Sequence, residues 1–328
     1  MRFLRTHSLT LSLAALLALC QLCSLTKIKE YGYVLRYVLG QYPSFTMVGD
    51  RLPYQRFYLR EDVCPCYKKQ REMNRQSRAV MSGLISSLQK KGVTVVILPI
   101  PSKVAVERAH ISKRLPSCVL WGSLADSAEL LEEDATANYE ELVAADPAHV
   151  VNLNAVYEQW LRAHPDDYLY VPSDSHWSSL GIALAAKAVV DKLGGAEPAM
   201  TLVKPVATQG EFIGYLQLPS FFVKRSPELQ WQEPLHTLSA SRGGTRGRVL
   251  VFGTSYAERL KETEWGLGSL LGKTLGREVV DLSFHGAGPI GSFIEFQKKG
   301  LQYKKGDIVV WEFPVRHPPS AAERIPLG

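Results

Sequence analysis

The chain has 328 residues, 46% hydrophobic and 21% charged, a composition that excludes a disordered or fibrous protein and allows one large core or two small ones. Its 38 Lys and Arg against 32 Asp and Glu give a net charge of +6. No basic block concentrates that charge, so nucleic acid is not an expected partner, and attraction to an anionic surface or acidic polymer is the most it supports.

Behind Arg2 and Arg5, the 21 residues from Thr6 to Thr26 carry no Asp, Glu, Lys or Arg. About 20 apolar residues cross a bilayer, so this is an export signal or an uncleaved anchor. No small-residue cleavage site stands out, which favours a signal anchor over residues 1–26 with the body outside the cytoplasm; secretion after cleavage is the alternative. Leu19 stands where a lipidated Cys20 would need a small neighbour. In an oxidising compartment Cys118 pairs with Cys64 or Cys66, leaving one thiol over, and the Cys64-Pro-Cys66 spacing lacks the second pair of a zinc site. No metal or cofactor is expected.

Residues 27–73 read as a helical stem and connecting loops, and 74–328 as one α/β domain. Met81, Leu84, Ile85 and Leu88 follow a helical period over Asn74–Lys90. Val93–Leu98 is a β-branched run without alternation, which suits a parallel sheet covered by helices on both faces. PIPSK, residues 99–103, then forms a loop at the carboxyl edge of that sheet, where ligands bind in open α/β folds, and this makes Lys103 a substrate-positioning candidate. An acidic helical region spans 124–145. Short strands at Val150–Leu153 and Tyr168–Val171 flank a helix over Ala155–Ala163. Ser178 caps the next helix, which runs to Leu193 with Gly194 at its stop. The stretch from about 201 to 246 has no clear period and four prolines, and reads as an irregular excursion, a lid or flap whose aromatic residues could line a sugar groove. Regular structure returns with a strand over Arg248–Phe252, a helix start at Ser255, a strand over Val279–Leu282, a glycine turn at 285–288, a helix to Leu301 and a closing strand over Asp307–Phe313.

Two short motifs carry the chemistry. Asp174 and His176 in VPSDSHWSSLG lie two positions apart, a spacing that puts both side chains on one side of an extended segment. A carboxylate beside one ring nitrogen fixes the tautomer and leaves the other nitrogen as a base. Ser255 in RVLVFGTSYAERL stands at a strand-to-helix turn, a position that presents a nucleophile beside a backbone N–H suited to an oxyanion. Each residue alone has a plain structural reading, as a helix cap or a core histidine.

DSHW followed by an amphipathic helix resembles the Asp-x-His-Trp motif of the SGNH-like polysaccharide O-acetyltransferases of the alginate type, the AlgJ and AlgX group. PIPSK, GTSYA, HGAG and the closing VVWEFPVR are similar too, in the same order, from about Val93 to Arg316. The resemblance implies an SGNH-like three-layer sandwich with a mostly parallel central sheet, preceded by the anchor, on the periplasmic side of the inner membrane. It implies Asp174 as acid, His176 as base and Ser255 as nucleophile in acetyl transfer to a polysaccharide. A membrane-bound O-acyltransferase is the implied acetyl supplier. Gly286 and Gly288 are candidates for the oxyanion site, Tyr256 for a supporting hydrogen bond, and Arg316 with Lys103 for holding substrate. The residues after the closing strand leave no room for the carbohydrate-binding module of one branch, so polymer grip is expected from the domain or a partner. A carbohydrate acetylesterase with the same three residues is the alternative within enzymes, and a noncatalytic polysaccharide-binding or assembly protein the alternative outside them.

Overall fold

Four parallel strands form the floor of the molecule, and the turn that carries Ser255 leaves the carboxyl end of one of them. The computed structural model describes residues 45–46, 56–59, 67–110, 137, 139–240, 246–320 and 325. The 1–26 segment, most of the 27–73 stem and Cys64, Cys66 and Cys118 lie outside them. Among the described residues no helix is long and apolar enough to cross a membrane.

A two-residue ladder pairs β1 (Phe45–Thr46) with β2 (Tyr58–Leu59). Helix α1 (Tyr67–Gln89) begins seven residues before the apolar period does, because Lys, Gln, Arg, Glu and Met are strong helix formers that need no periodic signal. Its Met81, Leu84, Ile85 and Leu88 are buried as expected. Strand β3 (Thr94–Ile100) takes in Pro99 and Ile100, so only the end of PIPSK turns away, into the short helix α2 (Lys103–Val106) capped by Ser102. Helix α3 (Leu153–Ala163) and helix α4 (Ser179–Lys192) follow. The two short strands expected around α3 are reduced to isolated bridges, Ile97 with Val150 and Tyr170 with Trp177.

The stretch read as irregular is a built subdomain. Strands β4 (Met200–Thr208) and β5 (Trp231–Leu238) form an antiparallel hairpin enclosing helices α5 (Glu211–Leu216) and α6 (Ser220–Arg225). Its pattern is hidden for two physical reasons. Every residue from 201 to 207 in β4 is exposed, so that strand has no apolar alternation. Pro205 and Pro234 face each other beside a register shift, where missing backbone donors are tolerated. Phe212 and Trp231 are core residues, whereas Tyr215 and Phe221 are exposed.

The remaining elements are β6 (Val249–Phe252), α7 (Ser255–Glu258), α8 (Leu267–Leu275), β7 (Val279–Asp281), α9 (Gly291–Lys298) and β8 (Ile308–Pro314). The sheet order is β3-β8-β6-β7 with all pairings parallel. Alternate residues of β8 point to opposite faces. Val309, Trp311 and Phe313 join α1 and α9 in one core, while Ile308 and Val310 join α4 and α8 in the other. The three-layer α/β arrangement expected of the domain is thus present, and its carboxyl edge gathers residues 101–103, 253–256, 282–288 and 315–316.

Candidate active site

The turn that carries Ser255 is shaped by the close packing beneath it. A Cβ on Gly253 would lie 2.5 Å from Ala257 Cβ and 2.9 Å from Glu312 Oε2, so only glycine lets the chain leave β6 here. Thr254 caps α7 by accepting the N–H of Tyr256. Glu312 Oε2 accepts the N–H groups of Thr254 at 2.7 Å and Ala257 at 3.2 Å, and Thr254 Oγ1 donates to the same carboxylate. The N–H of Glu258 goes to Thr254 O. Of the first-turn N–H groups of α7, that of Ser255 is the one with no acceptor among the described residues.

His176 joins the two motifs. Its Nδ1 lies 2.6 Å from Asp174 Oδ1 and its Nε2 2.8 Å from Ser255 Oγ. The proximity of acid and imidazole has a different origin from strand alternation, since residues 172–176 are turns and bends. Asp174 Oδ1 accepts the His176 backbone N–H at 3.0 Å, and this local turn brings the two side chains together. Burial alone would raise the Asp174 carboxyl. The hydrogen bond and charge of the His176 side chain, with the N–H groups of His176 and Glu211, outweigh it and hold Asp174 well below the usual carboxylate range.

The second oxygen of Asp174 is held from the hairpin subdomain. Oδ2 accepts the N–H of Glu211 at 3.0 Å, while Gly210 and Phe212 donate to Ser173 Oγ and Ser173 O. The start of α5 therefore clamps the acid-bearing loop, and the supposed flap is part of the site. The Glu211 side chain accepts from Ser175 Oγ and reaches within 3.8 Å of His176 Nδ1. Asp174, His176 and Glu211 bring potential metal-binding atoms within 4.8 Å of one another, but the Asp174 and His176 atoms are engaged in the hydrogen bonds just described.

The other expected site residues fall out differently. Tyr256 supports the site: its OH donates to Ser175 O at 2.8 Å and its ring centroid lies 4.7 Å from that of His176. Arg316 Nη1 donates to the Tyr256 OH at 2.8 Å, which places the guanidinium one side chain from the imidazole. Gly286 and Gly288 both adopt left-handed φ, 74° and 57°, in the turn after β7 on the same carboxyl edge. Lys103 is not where a substrate-holding cation would be. It is 1% exposed, and its Nζ donates to the carbonyls of Val171, Pro172 and Asp174 at 2.8 to 2.9 Å. A buried ammonium needs such partners, and Lys103 anchors the acid-bearing loop. Sequence reasoning missed Glu312, although a lone acid inside an apolar strand is itself a signal that something must accept its charge.

A serine at a strand-to-helix turn, an imidazole bonded to it and a carboxylate behind that imidazole, on the carboxyl edge of a covered parallel sheet, define an α/β protein with the side-chain set of serine-dependent acyl transfer. The chain belongs to the family described as SGNH hydrolase-like domain, acetyltransferase AlgX, whose model matches residues 57–315. It is 24% identical over 273 residues to a probable alginate O-acetylase AlgJ of Pseudomonas aeruginosa, covering 75% of this chain and 64% of that one. It is 22% identical over 263 residues to a probable alginate O-acetylase AlgJ of Azotobacter vinelandii, covering 75% and 63%. The chain thus spans less than two thirds of the length of these relatives. Its fold is similar to that of the O-acetyltransferase domain of Pseudomonas putida AlgJ, with a TM-score of 0.59, 20% identity, and coverage of 85% of this chain and 93% of that one. Pseudomonas aeruginosa AlgX gives a TM-score of 0.50 at 17% identity, with 82% and 62% covered.

Proposed function

We propose that this protein is an O-acetyltransferase that moves acetyl groups onto hydroxyls of an exported polysaccharide through an acetyl-Ser255 intermediate. The observation that carries the reading is the unbroken chain from Ser255 Oγ through His176 to Asp174, at 2.8 and 2.6 Å. Membership of the AlgX family and the acetylase names of its relatives support the choice of acetyl and polysaccharide.

In the first half-reaction Ser255 Oγ attacks the acetyl carbonyl carbon and its proton passes to His176 Nε2. The Asp174 carboxylate stabilises the imidazolium from the Nδ1 side. The negative oxygen of the tetrahedral intermediate is met by the Ser255 N–H, with the turn at Gly286 and Gly288 as the second oxyanion element. As the carbonyl re-forms, the donor's leaving group departs with the proton from Nε2. In the second half-reaction a sugar hydroxyl gives its proton to Nε2 and attacks the acetyl carbon, and Ser255 Oγ leaves and takes the proton back. Arg316, held on Tyr256, is the cation placed to meet an acidic sugar. In this reading residues 1–26 hold the protein on the periplasmic side of the inner membrane, where a membrane-bound O-acyltransferase supplies the acetyl group.

The test is intact-protein mass spectrometry after exposure to p-nitrophenyl acetate, followed by addition of alginate oligosaccharides. The expected result is one acetyl group on the Ser255 peptide, absent from Ser255→Ala and His176→Ala, and its passage to the oligosaccharide. An unmodified wild-type protein would overturn the reading. Release of acetate with none on the sugar would make the protein an acetylesterase.

A further inference from the structure

Beneath the nucleophile lies a carboxylate that the acyl-transfer scheme does not use. Glu312 is fully buried, in the middle of β8 and on the face of the sheet that meets α7. Its register partner is Leu98 on β3. Three donors converge on it: the N–H groups of Thr254 and Ala257, on either side of Ser255, and the Thr254 hydroxyl. The Thr254 hydroxyl accepts the Tyr256 N–H on one side and faces the Glu312 carboxylate on the other. An ionised carboxylate accepts from all three; a protonated one keeps both N–H groups only by turning its proton to the Thr254 oxygen, which then accepts instead of donating.

We propose that Glu312 is a positioning residue for Ser255, its ionised carboxylate fixing the Thr254–Ala257 turn so that Oγ meets His176 Nε2 and the Ser255 N–H stays available. The inference rests on the acyl-transfer reading of the site. Gly253 supports it, since the chain is stripped to a glycine where Glu312 Oε2 approaches within 2.9 Å of a would-be Cβ. Burial pushes the Glu312 carboxyl up to about 7 against the pull of its Thr254 and Ala257 hydrogen bonds. The nearby His176 pulls it down as well. Asp174 stands behind His176, and Arg316 reaches the same region through Tyr256.

Two measurements separate this role from mere packing. The first is hydrogen exchange of the 253–258 segment in wild type, Glu312→Gln and Glu312→Ala, with β3 and α4 as internal controls. The expected result is protection kept in Gln, whose amide oxygen can accept both N–H groups, and lost at least tenfold in Ala with the controls unchanged. Equal protection in all three would overturn the proposal. The second is the rate of Ser255 acetylation by p-nitrophenyl acetate against pH. Two groups must be deprotonated in the wild type, so log rate falls with a slope approaching two on the acid side. Glu312→Gln removes one of them, giving a slope of one and a rate about tenfold lower at alkaline pH, where a charge-assisted contact has become neutral. An unchanged slope and rate would overturn the proposal. A wild type that is never acetylated would instead overturn the acyl-transfer reading, leaving the exchange experiment to judge Glu312.

Discussion

The indole N–H of Trp177 donates to the carbonyl of Tyr256 at 2.8 Å, and the Tyr256 hydroxyl donates back to the carbonyl of Ser175 at 2.8 Å. One residue is the chain neighbour of His176 and the other that of Ser255. The two motifs, 79 positions apart, are therefore stitched to each other directly as well as through the sheet. Trp177 is fully buried, so its donor has few alternatives and the geometry is well determined.

Trp177→Phe keeps most of the aromatic volume and removes the donor. The Tyr256 carbonyl keeps the Arg259 N–H at 3.2 Å, so the loss is that of one hydrogen bond, about 0.5–1.5 kcal/mol, and it should appear as a lower midpoint in urea unfolding. The rate of Ser255 acetylation should fall about tenfold, because reacting atoms displaced by a fraction of an ångström lose much of their advantage. A stability loss with an unaltered rate would show that the bond supports the fold alone.

The parts of the site visible in the sequence are those whose chemistry is local. Asp174, His176 and Ser255 declare themselves through residue type, and β3 through an unbroken apolar run. The supports are silent for a physical reason: they act through backbone. Gly210, Glu211 and Phe212 hold the acid-bearing loop with N–H groups that any residue other than proline possesses. Lys103 looks like a solvated or substrate-facing cation until its three carbonyl partners are seen. The hairpin escaped notice because residues 201–207 of β4 are all exposed and both strands carry prolines, which removes the alternation that would mark a half-buried strand.

Glu233 on β5 is the lock of that hairpin. It is fully buried and accepts from the Ser179 N–H at 2.6 Å, from Thr208 Oγ1 at 2.8 Å and from both terminal nitrogens of Arg259. It thereby joins the start of α4, which follows DSHW, to the residue that closes α7. Glu233→Ala strands a mostly buried guanidinium and a helix N–H, a change that costs about 3–5 kcal/mol for a buried pair. Chemical denaturation should register that loss. Glu233→Ala with Arg259→Leu should recover part of it, since the stranded charge is then gone.

Gly210 and Gly214 offer a matched pair four residues apart. A Cβ on Gly210 would sit 2.2 Å from the carbonyl oxygen of Ser173, whereas one on Gly214 meets nothing within 4 Å. Gly210→Ala must push α5 away from the acid-bearing loop and weaken the Glu211 N–H bond to Asp174. A fall in acetylation rate of about 100-fold is expected from such a misplacement, with a lower melting temperature. Gly214→Ala lies inside the helix and should be neutral or raise stability by about 0.5–1 kcal/mol. Equal effects of the two substitutions would show that α5 does not position Asp174.

The two buried carboxylates should respond to pH with opposite signs. Asp174 is held below its ordinary value in the folded protein, so its ionised form contributes stability above the unfolded value, and that contribution is lost as pH falls through the folded one. Asp174→Asn should therefore narrow its stability deficit against wild type as pH drops below about 4. Glu312 is raised from 4.5 to about 7. Between those values the folded protein binds the extra proton, so stability falls as pH rises through that window and levels off above it. Glu312→Gln should remove this slope, and the urea midpoint of wild type relative to Glu312→Gln should decline from pH 5 to pH 8. The ionised state that holds the Ser255 turn is thus the less stable one. A wild-type protein whose midpoint, relative to Glu312→Gln, stays level across that range would mean that Glu312 does not titrate there.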